Sequence, residues 1–321
     1  MLLEDRIYGH NEVKEPVLLK LINSPEIQRL KDVSQLGVPD EFNRFKGFSR
    51  YEHSIGVMLL LKYCRANLEE QVAGLLHDIS HTAFSHVYDW VLGSNEKEDH
   101  QDKVHKKIIT NSNIPLILKE YKIDVERISH LENFKILDLN IPDVCADRFD
   151  YLVRDPVTTP KLAKYFFKNL RIYDGKLVFS DKKSAKSFGS HFLKAQLEHW
   201  GHPETMLRYR LFSEALKMAI QEGTLVSMDF YGGEKKILEK IKNSTNLIIQ
   251  RNLKTLSGKL NYQINEQSQE APLKKKFRHV DPIYIRNGGL SRLSETDDSF
   301  KQLLKKESES NNLGTKVELI L

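Results

Sequence analysis

The chain has almost no cysteine: Cys64 and Cys145 are the only thiols in 321 residues. Two such residues make neither a disulfide framework nor a zinc ribbon, so the expectation is a reducing compartment with both thiols buried. Long apolar runs are missing as well. No stretch approaches the ~18 residues that a bilayer crossing needs. The opening MLLEDRIYGH carries acids where a secretory signal carries bases followed by an apolar segment. A cytoplasmic protein without a membrane partner is expected. Excess charge of one sign is also lacking. Lys and Arg number 49 against 44 Asp and Glu, a net of +5, which suits an anionic small molecule as readily as nucleic acid and decides nothing alone. There is no internal repeat. With 40% hydrophobic and 29% charged residues, the composition is that of a globular protein able to bury a core.

What the sequence does have is helical periodicity over its first two-thirds. NLEEQVAGLLHDI opens with Asn67 as an N-cap, carries Glu69 and Glu70 in its first turn, and sets Leu68, Val72, Leu75, Leu76 and Ile79 on one face. This predicts a helix docked in the core whose last turn delivers His77 and Asp78. PEIQRLKDVSQLG, HSIGVMLLLKYCRA and ETMLRYRLFSEALKMAIQEG repeat the pattern. LRIYDGKLVFS interrupts it, with Asp174-Gly175 between two β-prone runs as a tight hairpin. From about residue 232 the pattern changes to a short helix in GGEKKILEKIKNS, polar linker with β-prone stretches, and a closing strand in KVELIL. The expected fold is mainly α, with a helical core and small β-hairpin over residues 1–231 and a smaller α+β appendage over 232–321.

Five of the twelve histidines, His77, His81, His86, His100 and His105, fall between positions 77 and 105. An even spread would put about one there. His77 and Asp78 point ~100° apart on a helix, yet at a helix end both can turn toward one ion. With His53 from SRYEHSIG and Asp147 from VCADRFDYLVRD, two imidazoles and two carboxylates would offset a divalent charge and fill four positions of an octahedron. The His-Asp dipeptide alone is a weak signal; the surrounding constellation makes it specific.

In order and spacing, SPEIQRLKDVSQLG, FSRYEHSIGV, AGLLHDISHTAFSHVYD and ADRFDYLVRD resemble the HD-domain phosphohydrolases, in particular their deoxynucleoside triphosphate (dNTP) triphosphohydrolase branch. After about residue 170 the resemblance weakens. It implies that 1–231 is an HD-domain core in which His53, His77, Asp78 and Asp147 hold one divalent metal. Such a ligand set leans toward Mn²⁺ or Fe²⁺ and leaves Mg²⁺, Ni²⁺ and Zn²⁺ open. The resemblance further implies that His81 and His86 face the substrate phosphates, with His86 as proton donor oriented by Asp89, and that His100 is a further active-site histidine. Arg50 and Arg148 match phosphate contacts. Gln35 and Leu36 match residues near the deoxyribose, and Tyr151 and Asp155 match residues that sense its hydroxyls. Gln101 stands where relatives commonly carry Glu, which puts the tuning of His100 in question.

The implied reaction is attack of metal-activated water on the α-phosphorus, giving deoxynucleoside and triphosphate. Two other functions stay open. One is a phosphatase or phosphodiesterase acting on monophosphates, other nucleotides or short oligonucleotides; the other is a nucleotide-binding regulator with a vestigial site. The partner expected is a nucleotide; a homo-oligomer and nucleic acid are left open, the latter not favoured. Several residues have plainer readings beside the functional one: His105 as a solvated helix residue, Arg154 with Asp155 as a salt bridge, Arg208 and Arg210 as a solvated face, and KKKFR at 274–278 as a surface run.

Overall fold

Capping residues set the helix boundaries in the computed structural model, which describes residues 1–320. Asn67 Oδ1 accepts the Glu70 N–H at 2.9 Å and starts the helix Leu68–Leu76. Ser49 Oγ does the same for Arg50–Tyr63 through the Glu52 N–H. Each such cap contributes about 1 kcal/mol. The helix Arg50–Tyr63 packs against both Leu68–Leu76 and Ala146–Arg154. Gly56 permits the second contact, because a Cβ there would fall 2.4 Å from Asp150 Oδ2 and 2.1 Å from Arg154 Nη2. Among the described residues no helix is long and apolar enough to cross a membrane.

The strands are short. β1 (Leu2–Asp5) and β2 (Gly9–Glu12) form an N-terminal antiparallel hairpin that the sequence does not announce, since neither strand has a β-branched or aromatic residue. β3 (Leu170–Tyr173) and β4 (Lys176–Phe179) form the expected hairpin, with Asp174 and Gly175 both at positive φ as a tight two-residue turn requires. β5 (Tyr262–Ile264) pairs with the closing strand β8 (Val317–Leu319). Between them in sequence, β6 (Ile283–Arg286) and β7 (Gly289–Arg292) extend the first hairpin into a sheet of order β3-β4-β6-β7, through a parallel contact of Phe179 with Tyr284.

The composition shift at 231/232 therefore runs through continuous packing. Glu234 Oε1 accepts the backbone N–H groups of Ser34 at 2.7 Å and Phe84 at 3.0 Å. The helix Leu247–Leu256 lies along Pro203–Gln221, and β6 lies on β4. These are long-range pairings, and a change in local composition carries no information about them.

Two apolar clusters make the interior. One gathers the helices Arg50–Tyr63, Leu68–Leu76 and Ala146–Arg154; the other gathers Phe42, Phe84, Phe212, Phe230 and their neighbours. HDISHTAFSH crosses from one to the other. Ile79 packs in the first cluster, Ala83 and Phe84 in the second. Its apolar residues thus anchor both ends, and its polar ones are left at the junction. Phe84 and Ser85 hold positive φ there, a strained backbone of the kind found at functional sites. Gly37 has φ +79° beneath the turn, and a Cβ on it would meet Phe84 O at 2.9 Å.

Candidate metal centre and adjoining cleft

His53 sits on the first turn of its helix and is fully buried; His77 ends the helix Leu68–Leu76, and Asp147 lies in the first turn of Ala146–Arg154. Their donor atoms converge. His53 Nε2 lies 2.9 Å from Asp147 Oδ1 and 3.2 Å from His77 Nε2, and His77 Nε2 lies 3.6 Å from Asp147 Oδ1. Asp78 closes a further side, with Oδ1 3.5 Å from His77 Nε2 and Oδ2 3.8 Å from His53 Nε2.

The outer ring nitrogens fix the tautomers. His77 Nδ1 faces the Gly74 carbonyl at 2.7 Å and His53 Nδ1 faces Asp150 Oδ1 at 2.8 Å, so both must donate there. Each Nε2 is then left with a lone pair directed at the other and at a carboxylate oxygen. Such lone pairs repel unless a cation lies among them. The donor set, with its oriented imidazoles, fits a divalent ion. In the absence of an ion a proton takes the cation's place: burial alone would lower His53, but Asp147 and Asp150 outweigh it and lift the imidazole to about 9, so Nε2 carries a proton that a bound ion would displace.

A second group, Asp138, Cys145 and Asp147, is also close together. Its charge is already offset by Arg148, whose Nη1 is 3.1 Å from Cys145 Sγ and whose Nη2 is 3.8 Å from Asp138 Oδ1. Burial pushes the Cys145 thiol up to about 12, which leaves it protonated and a poor ligand.

Beside the convergent donors opens a cleft of about 1270 Å³, open solvent at its mouth included. Gln35, Leu36, Arg50, Asp78, His81, His86, Asp147, Arg148, Tyr151 and Asp155 all line it. Arg50 donates Nε to Ser85 Oγ at 2.7 Å and Nη1 to Asp78 Oδ2 at 2.6 Å. His81 Nε2 stands 3.3 Å from Asp78 Oδ1, and its ring meets that of His86 edge to face. His86 Nδ1 bonds Asp89 Oδ2 at 3.3 Å. Burial, then Arg278, His81, Arg50 and Lys275, hold the His86 imidazole well below its usual range; burial raises Asp89 to about 6.

Two expected site residues stand differently. The His100 ring turns to Tyr231 Oη at 3.2 Å and against Tyr88, away from the cleft lining, while its backbone N–H donates to Asp89 Oδ1. Asp155 lines the cleft with its carboxylate already engaged by His199 Nδ1 at 2.9 Å, Trp200 Nε1 at 2.7 Å and the Val157 N–H. The π-turn Gln196–Trp200 carries those partners, and both also line the cleft.

The expected Arg154–Asp155 salt bridge does not form, since Arg154 pairs with Asp5, Glu52 and Asp150 and Asp155 with His199, and the readings of solvent exposure need correction in three places. His105 is buried, with Nδ1 near Ser80 Oγ. Arg208 is buried and donates to the Phe42, Leu256 and Gly258 carbonyls, which makes it structural; Arg210, three-quarters buried, pairs with Glu270. KKKFR is not a surface run: Lys275 is buried over the Tyr209 ring, and Lys275, Lys276 and Arg278 line the cleft. In each case side-chain type suggested solvent, while long-range packing supplied the partners.

Asp150 was not singled out from the sequence, although its spacing carries a signal. Asp147, Asp150 and Arg154 recur at i, i+3 and i+7 on one helix face. In the structure Asp150 Oδ1 bonds both His53 Nδ1 and Arg154 Nε, and Arg154 continues to Asp5 Oδ2 at 2.7 Å. Arg154 is thus an internal ion-pair centre and not a cleft residue.

The fold is shared with a phosphohydrolase from Bacteroides thetaiotaomicron, at TM-score 0.70 and 17% identity over 99% of both chains. It is shared too with a hypothetical protein from Aquifex aeolicus, at TM-score 0.64 and 19% identity over 94% of this chain and 93% of that one. The uncharacterized protein YdhJ of Bacillus subtilis is 32% identical over 302 residues, 91% of this chain and 92% of its own. The metal-dependent phosphohydrolase cns2 of Cordyceps militaris is 33% identical over 236 residues, 70% of this chain and 68% of its own. A deoxynucleoside triphosphate triphosphohydrolase SAMHD1 homolog of Dictyostelium discoideum is 32% identical over 219 residues, 57% of this chain and 42% of its own. The HD domain family matches residues 50–155, which begin at Arg50 beside His53 and end at Asp155 beyond Asp147. With its histidine–aspartate centre inside that span, the chain belongs to the HD-domain superfamily and is a metal-dependent phosphohydrolase.

Proposed function

We propose that the substrate is a dNTP, cleaved at the α-phosphorus to deoxynucleoside and triphosphate. The observation that carries this reading is the junction of the convergent His53, His77, Asp78 and Asp147 side chains with a cleft lined by Arg50, Arg148 and Arg278. In it His53, His77, Asp78 and Asp147 hold one divalent ion, Mn²⁺ or Fe²⁺ by ligand type. When bound, that ion supplies Lewis acidity at a phosphoryl oxygen and makes water a usable nucleophile near neutral pH.

The chain's own groups do the rest. Arg50 is held rigidly by Asp78 and Ser85, and its Nη2 remains to meet a phosphate oxygen. Arg148 serves from the opposite helix, and Gln35 and Leu36 border the sugar. Tyr151, packed on Trp200 and Phe192, presents a bulky ring that suits a sugar without a 2′-hydroxyl. Asp155 acts here by holding His199 and Trp200.

His86 donates the proton that the departing O5′ needs as its bond to phosphorus breaks, a contribution of about 10²- to 10⁴-fold. Burial is the main cause that keeps it neutral in the free protein, and the share added by Arg278, Arg50 and Lys275 is the one a phosphate chain would offset. Substrate arrival therefore raises its proton affinity at the moment of use, and Asp89 steadies the imidazolium. His100 supports this pair through its backbone bond to Asp89.

A second reading keeps the centre and changes the substrate to nucleoside monophosphates, other nucleotides or short oligonucleotides. The comparisons leave it open: the SAMHD1 homolog, whose name carries the dNTP activity, is matched over 42% of its length, against 68% for cns2, whose name gives no substrate. Incubation with Mn²⁺ and each dNTP, NTP and dNMP separates the two. Inorganic triphosphate among the products supports the first; orthophosphate or shortened oligonucleotide selects the second.

A further inference from the structure

The stretch 274–278 comes from the last fifth of the chain and forms part of the cleft wall. It is pinned at three points. Asn95 Nδ2 donates to the Lys274 carbonyl at 2.8 Å, Asn311 Nδ2 to the Lys275 carbonyl at 3.1 Å, and the Arg278 N–H to Gln196 Oε1 at 3.2 Å. Gln196 begins the turn that carries His199 and Trp200.

Beneath this stretch lies Glu98, fully buried and at positive φ. Arg278 Nη2 meets its carboxylate at 2.5 Å, while the Lys275 ammonium stands 3.8 Å away, beyond hydrogen-bond reach. One carboxylate thus serves two buried cations. Asp89 is the other acid near Lys275, and its own carboxyl is raised to about 6 and bonded to His86. Lys275 is only 6% exposed and rests 3.7 Å from the centre of the Tyr209 ring, so water does not solvate it freely. A buried ammonium on a cleft wall that shares its one close carboxylate with Arg278, and stands too far from it for a hydrogen bond, can take a further anion.

We infer that Lys275 and Arg278, held by Glu98, grip the outer phosphates of the substrate and set the preference for a phosphate chain over a single phosphate. The inference rests on the nucleoside triphosphate reading above and adds the residues that would enforce it. Arg50 and Arg148 flank the metal ligands Asp78 and Asp147, where the reacting phosphate belongs. Lys275 and Arg278 supply charge from a separate segment, for phosphates that are not being attacked. A monophosphate would leave them with the shared Glu98 carboxylate alone.

The test is calorimetric binding, in excess Mn²⁺, of a 2′-deoxyadenosine triphosphate analogue in which CH₂ replaces O5′, so that the bond to be cleaved is absent, and of the monophosphate analogue with the same replacement. Lys275→Met preserves side-chain length and leaves the Arg278–Glu98 pair in place. It should weaken the triphosphate analogue about tenfold and leave the monophosphate within twofold. Lys275→Arg should restore most of the loss, which a general packing defect would not allow. Equal weakening of both ligands, no weakening of either, or a wild-type protein that does not discriminate between them each overturns the clamp. Turnover is scored separately. If dNTPs are hydrolysed and Lys275→Met changes nothing, the clamp falls and the function stands. If they are bound in a Lys275-dependent way but never hydrolysed, the function falls and the clamp stands.

Discussion

Replacing Asp150 by asparagine separates the charge behind His53 from the shape around it. Asp150 Oδ1 receives both the His53 Nδ1–H and the Arg154 Nε–H, at 2.8 and 2.7 Å, and an amide oxygen can accept both. The geometry should persist while one fully buried negative charge disappears. Partners that orient a ligating histidine are worth 10- to 100-fold in metal affinity, about 1.4–2.7 kcal/mol. The cost in stability is smaller. Stripping a buried ion of its partner costs about 3–5 kcal/mol, but Arg154 keeps Asp5 at 2.7 Å and Glu52 at 3.3 Å, so about 1–2 kcal/mol is expected. At about 2.1 cal/mol/K per residue, a chain of this length should lose roughly 2–3 °C in Tm. Titration of metal-free protein with Mn²⁺ gives the first quantity and thermal unfolding the second. If Tm falls and the Mn²⁺ affinity does not, Asp150 braces the helix and has no part in orienting His53.

Three further substitutions have definite outcomes. Asp147→Ala removes the oxygen that faces both imidazoles and should abolish bound metal, read by elemental analysis, together with turnover; a fully active variant would refute the ligand assignment. His86→Ala should lose about 10²- to 10⁴-fold in kcat while still binding nucleotide, whereas lost binding at unchanged kcat would remove its role as acid. Glu234→Gln probes pH. Burial pushes this carboxyl up to about 8, so the folded protein keeps a proton that the unfolded chain releases above about 4.5. Wild-type stability should therefore fall as pH rises from about 4.5 to about 8 and then level off. Glutamine keeps the acceptor for the Ser34 and Phe84 N–H groups, and Tm measured from pH 5 to 9 should lose that slope; a profile parallel to the wild type would count against it.

The helices around the centre could be read directly because their signals are local. Asn67 caps where its side chain predicts, and Val72, Leu75, Leu76 and Ile79 dock as their spacing predicts, while Leu68 at the start of the stripe stays exposed. The proximity of His53, His77, Asp78 and Asp147 was legible only through motif resemblance, since they are brought together across 94 residues of chain. Lys275 and Arg278 were legible only as a basic run, usually surface and less often a nucleotide contact, because such a run looks the same whether it meets water or a buried Glu98. Asp155 shows a subtler limit. Sequence matching located it at the cleft, and only the structure shows its oxygens committed to His199 and Trp200.

The pairing of Glu98 with Lys275 and Arg278 also has a consequence for how the chain is made. Roughly 180 residues separate the acid from its counter-charges. At a synthesis rate of about 5–20 residues per second, Glu98 leaves the ribosome roughly 10–35 s before they exist. During that interval a carboxylate that the finished protein buries has neither cation beside it, and it must stay hydrated or take up a proton. The cleft wall is thus completed by a stretch of chain made long after the histidine–aspartate centre that it faces.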